Sequence, residues 1–193
     1  FTKYINQRIP DIPINVKYSF KNGSHLQAGA VLRNMYYKDE IEDKDRIVTG
    51  WGASLSGIWQ FAENTSLCFQ GVYGKGISNY IQDISGSGLD LVPSATAEGR
   101  LKASRAWGGY IGFSHNWSKV LTSNIMYSYA RVLDRYGMPA TSYKYAQYAA
   151  ANLFWNFSEY GSCAIEYVFG RRNDFNKDYG NASRINTMIQ YRF

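Results

Sequence analysis

Nine segments of the chain alternate apolar and polar residues, and turn-forming residues separate each segment from the next. They lie at about 11–20, 24–37, 46–62, 66–81, 100–116, 121–134, 143–157, 161–172 and 182–193. Because side chains in a β-strand point to opposite faces in turn, this pattern predicts antiparallel strands. Several segments exceed about ten residues, a length that suits a tilted membrane crossing. We therefore expect an all-β fold, an antiparallel transmembrane β-barrel.

The connections between these segments alternate between short and long. The short ones are 21–24, 63–66, 118–122 and 158–162, and the longer, polar ones are 38–46, 82–99, 135–142 and 173–181. Outer-membrane barrels have short periplasmic turns and longer external loops. This pattern predicts a location in a bacterial (Gram-negative) outer membrane, with the last strand finishing on the periplasmic side.

The two faces of the predicted strands differ in polarity. In the first strand an apolar set (Ile12, Ile14, Val16, Tyr18, Phe20) faces away from Asn15, Lys17 and Ser19, and the last strand repeats the pattern. A polar face opposite an apolar one fits a wet lumen and a lipid exterior. A soluble sandwich has the same period, so the pattern by itself leaves both architectures open. No apolar stretch is long enough to suggest a helical span.

Aromatic residues make up 17% of the chain and cluster where the predicted strands end. One group lies near the short turns and in the last strand: Trp59, Phe61, Trp117, Trp155, Phe157, Tyr191 and Phe193. A second lies toward the long loops: Tyr36, Tyr37, Tyr80, Tyr136, Tyr143 and Tyr145. Two aromatic girdles at the membrane interfaces have this distribution. The predicted partners are outer-membrane lipid, lipopolysaccharide and, through the final strand, the barrel-assembly machinery.

Charged residues on the predicted inward faces are mostly basic. The alternation along each predicted strand places six basic residues toward the lumen: Lys17, Arg33, Arg184, Arg192, Arg105 and Arg172. Glu166 is the clearest inward carboxylate. Most other acids lie in loops, so the lumen is expected to be net positive and to attract small anionic solutes. The alternative is that these arginines pair across strands and only brace the wall.

Other classes of function find little support. The net charge of +6 is dispersed rather than clustered, which argues against nucleic-acid binding. Cys68 and Cys163 permit one disulfide, and no residue spacing predicts a metal or cofactor site. The acidic run 39–45 lacks the glycine and ligand pattern of a calcium loop. His115 with Ser114 and Asn116 has the residue types of a phospholipase, but adjacent strand residues cannot face one site. We expect no enzyme.

Several stretches resemble the DcaP-type porins. They are 8–20, 30–37, 73–83, 109–131, 149–174 and 182–193, and the run from AAANLFWNFSEY to FGRRND followed by ASRINTMIQYRF is the most specific. The resemblance implies a homotrimeric channel for dicarboxylates and similar small anions. It also implies a barrel of about sixteen strands, of which residues 1–193 form the C-terminal part of a single domain.

Three functions remain open at this point: a passive channel that prefers anions, a barrel that does not transport and serves in assembly, and an enzyme at the barrel rim. The longest loop, 82–99, is expected to fold inward as a constriction or to contact a neighbouring subunit.

Overall fold

The structure is a computed structural model that describes residues 5–6, 8–39, 41–96 and 99–193. Nine long antiparallel strands dominate it, as the alternation predicts. They are β2 (Ile12–Ser19), β3 (His25–Asp39), β4 (Lys44–Ala62), β5 (Thr65–Lys75), β8 (Arg105–Asn116), β9 (Leu121–Val132), β10 (Tyr143–Trp155), β11 (Gly161–Asp174) and β12 (Tyr179–Tyr191). Three short strands complete the set: β1 (Ile5–Asn6), β6 (Leu91–Pro93) and β7 (Leu101–Ala103).

The long strands pair in the order of the sequence, from β2 through β3, β4, β5, β8, β9, β10 and β11 to β12. β1 also pairs with β3, beyond the end of β2, and β6 pairs with β7 in a separate two-stranded sheet. Within the described ranges, β2 and β12 are the two edges of the large sheet. No described helix is long and apolar enough to cross a membrane.

The strand ends form two further borders of the sheet. Along one of them the strands are joined only by tight turns, at 20–24, 63–64, 117–120 and 156–160, and we call this border the short-turn edge. On the opposite edge, which we call the long-connection edge, the prediction of long loops at 38–46 and 173–181 is wrong. β3 and β4 remain paired as far as Asp39 and Lys44, and β11 and β12 as far as Asn173 and Tyr179. Charged residues at these positions suggested loops, but an ion pair between Arg46 Nε and Asp39 Oδ2 (2.6 Å) holds the ladder together.

The true long connection runs from residue 76 to residue 104, and we call it the inward segment. The predicted strand 66–81 ends at Lys75, where two 3-10 turns begin the segment (Ser78–Tyr80 and Gln82–Ile84). The predicted strand 100–116 is divided at Ser104 into β7 and β8. The break at both ends lets the chain leave the sheet and fold back over one of its faces.

We call the face that carries Arg33 and contacts the inward segment the inner face, and the opposite face the outer face. Strand register assigns the remaining side chains, because directly paired residues share a face. Near the inward segment, a core of buried apolar residues joins it to the sheet: Ile77, Ile81, Ile84, Ala106, Ala130, Val132 and Tyr143. A second, smaller core contains Met35, Tyr37 and Leu91. These two cores hold the segment in place.

Small inner-face residues allow this close approach. A Cβ atom on Gly52 would lie 2.9 Å from Ile77 Cγ2, and one on Gly108 would lie 3.3 Å from Ile81 Cγ2. At the start of the segment, Gly76 has φ +69° and packs against Met35, so a side chain there would be both strained and obstructed. Gly52 and Gly108 therefore form the surface against which the inward segment packs, and we call this surface the glycine floor.

Candidate functional site

Arg33 is the centre of the contacts that hold the inward segment. Its side chain, on β3, is only 6% exposed. Its Nε atom lies 2.9 Å from Asp11 Oδ2 and its Nη1 atom lies 3.0 Å from Asp90 Oδ2, and Nη1 also donates to the carbonyl of Gly76. A buried charge is tolerated when it is paired and its hydrogen bonds are satisfied, and Arg33 meets both conditions.

The acceptors of Arg33 are themselves tied to the inward segment. Asp90 accepts a hydrogen bond from the Ser78 hydroxyl (2.7 Å), and Asp11 accepts one from the Tyr80 hydroxyl (2.6 Å). The Tyr80 ring lies 5.2 Å from the Arg33 guanidinium, within cation–π range. We call Arg33, Asp11, Asp90, Ser78 and Tyr80 the Arg33 hub. It joins the first strands of the sheet to both halves of the segment.

A buried carboxylate fixes the end of the inward segment. Asp134, 4% exposed and in the connection after β9, accepts hydrogen bonds from Lys102 Nζ (2.8 Å), from the Arg105 backbone (2.7 Å) and from Arg105 Nε (3.2 Å). Burial raises the pKa of this carboxyl, but the bonds from Arg105 and Lys102 outweigh burial and lower it to about 2. Asp134 is therefore ionised across the neutral range.

Part of the acidic run 39–45 also serves the inward segment. Glu42 forms ion pairs with Arg46 (2.7 Å) and with Arg100 of the inward segment (3.4 Å). Nearby, the Tyr37 hydroxyl accepts a hydrogen bond from the backbone N–H of Leu101. No cluster of His, Cys, Asp or Glu in the described ranges has a metal-binding arrangement. These carboxylates act as partners for arginines.

Below the segment, toward the short-turn edge, the inner face is polar. One transverse row of directly paired residues crosses seven strands from β2 to β10: Lys17, Gln27, Ser56, Gln70, Tyr110, Ser128 and Tyr148. Tyr110 and Tyr148 lie at a recess of about 590 Å³ under the first turns of the segment. Water or solutes that pass the segment would meet hydroxyl and amide groups here.

A chain of amides holds Glu166 in place. Asn124 donates to Asn152 (2.7 Å), and Asn152 (3.3 Å) and Asn186 (2.9 Å) donate to the two oxygens of Glu166. The four residues lie side by side on β9 to β12. The predicted inward direction of Glu166 agrees with this register, and amides rather than an arginine compensate its charge.

The register places Lys17, Arg33, Glu166, Arg172 and Arg184 on the inner face, but their surroundings differ. Arg33 is buried in the hub. Arg172 Nε binds Asp174 (2.9 Å). Lys17 and Arg184 have no ion pair within the described part of the chain. Arg192 follows β12, where its backbone N–H donates to the Tyr160 carbonyl (2.8 Å).

The predicted inward direction of Arg105 is wrong. Arg105 pairs directly with Lys75 and shares the phase of Trp107, Ile111 and Phe113, which places its Cβ on the outer face. Its long side chain reaches the buried Asp134 at the end of the sheet. A charged residue can leave the apolar face in this way only near a strand end, where the stem packs and the guanidinium reaches polar groups.

The residues predicted for the first girdle all lie near the short-turn edge. Trp59, Trp155 and Tyr191 are on the outer face by register. Phe157 lies 5.7 Å from Trp155, ring centroid to ring centroid, and Trp117 lies 4.5 Å from His115. Phe61 lies at a β-bulge and Phe193 follows the last strand, and both are exposed.

The second group agrees with the prediction only in part. Tyr36 and Tyr145 lie on the outer face by register, but Tyr37 and Tyr143 are buried in the inner-face cores, and Tyr80 belongs to the Arg33 hub. Toward the long-connection edge the outer-face aromatics form two contacting groups: Trp51 with Tyr73, and Trp107, Tyr129 and Tyr145 stacked in series. A tyrosine near a strand end does not by itself reveal its face.

Two further sequence candidates do not form sites. Cys68 and Cys163 are free, and they lie on opposite faces of the sheet. His115 Nδ1 is bonded to the Thr65 hydroxyl (2.8 Å) on the outer face, whereas Ser114 belongs to the inner face. Sequence reasoning missed Asp11, Asp90 and Asp134, since a single aspartate near a strand end carries no pattern that identifies a distant arginine as its partner.

Comparisons with known proteins agree with this architecture. A family model described as DcaP outer membrane protein matches residues 5–193. The crystal structure of the outer membrane channel DcaP of Acinetobacter baumannii superposes with a TM-score of 0.79 at 18% sequence identity. That alignment covers 98% of this chain and 53% of the channel, so the chain spans about half the length of its structural relative.

A NanC porin structure aligns over 95% of this chain and 93% of its own, with a TM-score of 0.46 and 12% identity. A comparison with curated proteins gives no match. The family match covers nearly all of the chain, and the channel of known structure shares its fold. The chain belongs to the DcaP outer membrane protein family.

Proposed function

We propose that this chain forms part of a passive channel through the outer membrane with a modest preference for small anions such as dicarboxylates. The observation that carries the proposal is the position of Lys17 and Arg184, which lie on the inner face with no ion pair in the described ranges. A cationic wall raises the local concentration of anions by long-range attraction.

The acids of the inner side are mostly occupied, which supports the same sign of selectivity. Asp11 and Asp90 bind Arg33, and Asp174 binds Arg172. Among the described residues, the carboxylates that remain to oppose Lys17 and Arg184 are Glu166, held by two amides, and the exposed Asp83 of the inward segment. Arg192 adds a third cation near the short-turn edge. The balance is positive but small.

We propose that the inner face becomes the lumen when the sheet closes with further strands. Within the described ranges β2 and β12 have one unpaired side each, and a membrane tolerates no open sheet edge. Nine long strands in about half the length of the related channel agree with a closed barrel of about sixteen. Residues 1–193 would then be the C-terminal part of one barrel domain.

Orientation and partners follow from this proposal. The short-turn edge is periplasmic and the long-connection edge is external, in keeping with other outer-membrane barrels. The outer face contacts lipid and lipopolysaccharide, the last strand is recognised by the barrel-assembly machinery, and the channel is a homotrimer. The trimer is checked by the mass of the detergent-solubilised protein in its natural length.

The selectivity is tested in planar bilayers with the full-length protein under a KCl gradient. We expect a reversal potential of anion-selective sign, and the double variant Lys17→Gln and Arg184→Gln should move it toward the cation-selective side. Arg171→Gln, the same charge change on the outer face of β11, is the control. Uptake of succinate into proteoliposomes should fall in the double variant.

Two outcomes would contradict the proposal, the first its channel and the second its selectivity. A protein that inserts but gives no current steps would mean that the inward segment plugs the barrel, which would favour a role in assembly. Current steps with a cation-selective reversal potential in the unmodified protein would refute the anion preference while leaving the channel intact.

A further inference from the structure

The outer face carries a cluster of basic residues at the long-connection edge. Lys75 on β5 and Arg105 on β8 are directly paired, and Arg131 on β9 is paired with Trp107, the next outer-face residue of β8. Lys102 lies beside them because it and Arg105 form ion pairs with the same carboxylate, Asp134. We call Lys75, Lys102, Arg105 and Arg131 the basic cluster. It lies outside the inner face, so the proposed conduction of anions does not use it.

The basic cluster is only partly neutralised by the protein. Asp134 binds Lys102 and Arg105 and is its sole carboxylate among the described residues, so four cations against one anion leave three positive charges. Lys75 has no ion pair in the same ranges, and the Nε atom of Arg131 is buried with no hydrogen-bond partner. Like charges directly opposite each other, as Lys75 and Arg105 are, destabilise a sheet. The arrangement is therefore suited to a bound anion.

A recess accompanies the basic cluster. It has a volume of about 640 Å³, and its lining includes Lys75, Lys102 and Arg105 together with Ile47 and Leu101. The buried Asp134 orients two of the cations from below, and its low pKa keeps it ionised. The recess is thus large enough for a phosphorylated sugar and presents preorganised donors to it.

An apolar groove lies next to the recess on the outer face, since Tyr73 and Trp107, which line the groove, are the outer-face neighbours of Lys75 and Arg105 along β5 and β8. Its volume is about 760 Å³, and its floor consists of small residues on three neighbouring strands: Ala53, Gly71 and Gly109. The walls are larger apolar and aromatic side chains: Leu55, Tyr73, Trp107, Ile111, Tyr127 and Tyr129. A Cβ atom on Gly71 would meet nothing within 4 Å, so the groove is open above this glycine. Such a groove accepts an acyl chain.

We propose that the basic cluster and the groove together form a binding site for a phosphorylated, acylated glycolipid of the outer leaflet, with the chemistry of diphosphoryl lipid A; this inference rests on the proposed orientation, in which the long-connection edge is external. Three net positive charges match two phosphate groups better than the single charge of a phosphodiester lipid. Arginine and lysine near a membrane surface bind anionic headgroups, and aromatic rings occupy the boundary between headgroup and chain.

The charge distribution argues against a second copy of this chain on the same surface. A copy would have to bring a complementary acidic patch. On the described strands the outer-face phase contains one carboxylate, Asp45, which binds Arg8 (2.8 Å). The outer face of a second copy therefore lacks the negative charge needed to bind the basic cluster, whereas the phosphate groups of a lipid carry it.

The site is tested with the full-length protein in phosphatidylcholine nanodiscs, titrated with diphosphoryl lipid A and followed by native mass spectrometry. We expect Lys75→Gln with Arg131→Gln to weaken lipid A binding by about tenfold or more, since each charge-assisted contact to phosphate is strong. Gly71→Leu, whose Cβ atom would meet nothing within 4 Å and whose side chain would occupy the groove, should also weaken it. Lys119→Gln, in a tight turn at the short-turn edge, should not.

Three results would overturn the proposal: unchanged lipid A affinity in both the charge and the groove variants, equal affinity for lipid A stripped of its phosphates, or a disulfide between copies carrying Gly71→Cys, which would identify the face as a contact between subunits. Conductance of Lys75→Gln with Arg131→Gln is measured in the same preparation and should equal that of the unmodified channel. A failure of the channel proposal would appear there and would leave the lipid result unaffected.

Discussion

Arg33 Nη1 and Asp90 Oδ2 lie 3.0 Å apart with both side chains nearly inaccessible to solvent, and this contact joins the wall of the sheet to the middle of the inward segment. Arg33 had the direction expected from its strand phase. Its partners show that it braces the inward segment, because Asp11, Asp90 and the Gly76 carbonyl occupy its guanidinium.

Replacing Arg33 with methionine should release the inward segment. The change leaves the buried Asp90 without its arginine counter-charge, for which a cost of about 3–5 kcal/mol in the free energy of unfolding is typical. We expect larger and noisier single-channel currents, together with faster proteolysis in the exposed stretch 85–88. Arg171→Met, an outer-face change without a carboxylate partner, is the control. Currents and cleavage equal to those of the unmodified protein would mean that the apolar cores alone hold the segment.

Adding a methyl group to the glycine floor should displace the segment from the other side. Gly52→Ala places a Cβ atom 2.9 Å from Ile77, and overpacking of this kind costs about 1–3 kcal/mol. Gly170→Ala is a matched change on the inner face of β11, where no atom lies within 4 Å of the new Cβ. We expect a lower denaturant midpoint and altered conductance for Gly52→Ala only. Equal effects of the two variants would contradict the packing seen here.

Removing the charge of Glu166 should strengthen the anion preference. A unit charge at about 8 Å in water contributes about 0.5 kcal/mol, a factor of about two in local ion concentration. The anion concentration rises and the cation concentration falls by this factor, so Glu166→Gln is expected to raise the anion-to-cation permeability ratio about fourfold at low salt, measured from the reversal potential. Glu63→Gln, in a tight turn, should have a smaller effect. A fall in the ratio would show that Glu166 does not face the permeating ions.

The contacts of Asp134 should give a defined pH dependence. Its pKa falls from 3.8 to about 2 on folding, so its ion pairs stabilise the protein above the unfolded pKa, and this stabilisation is lost as the pH falls through the folded pKa. The difference in unfolding free energy between the unmodified protein and Asp134→Asn should be constant, at about 2 kcal/mol or more, from pH 5 upward. It should shrink below about pH 4. Urea unfolding in detergent at several pH values measures it, and a difference that stays constant down to pH 2 would disagree.

The strands could be predicted from the sequence because their signal is local. Ile12, Ile14 and Val16 alternate with Asn15 and Lys17, and the structure keeps each on its expected face. At the long-connection edge, charged residues led to two wrong predictions. Asp39 and Arg46 suggested a loop although they pair across two strands, and Arg105 suggested the lumen although it lies on the outer face.

The inward segment could be expected only as a long loop. Its docking depends on pairs such as Tyr80 with Asp11 and Lys102 with Asp134, which are remote in sequence and follow no period. Its floor depends on Gly52 and Gly108, which a sequence shows only as small residues in strands. The alternation along each strand was enough to predict which face Lys17, Arg184 and Glu166 occupy. It could not predict their contact partners, which are what distinguish them from Arg33.

The Arg33 hub also has a consequence for the order of assembly. Its contacts bridge 22 and 43 positions along the chain, from β3 back to Asp11 and forward to Gly76, so it cannot form until β2, β3 and the end of β5 are in place. Contacts of such high sequence separation are late and slow to form. The large sheet should therefore form first, and the inward segment should dock on its inner face afterwards as a separate step.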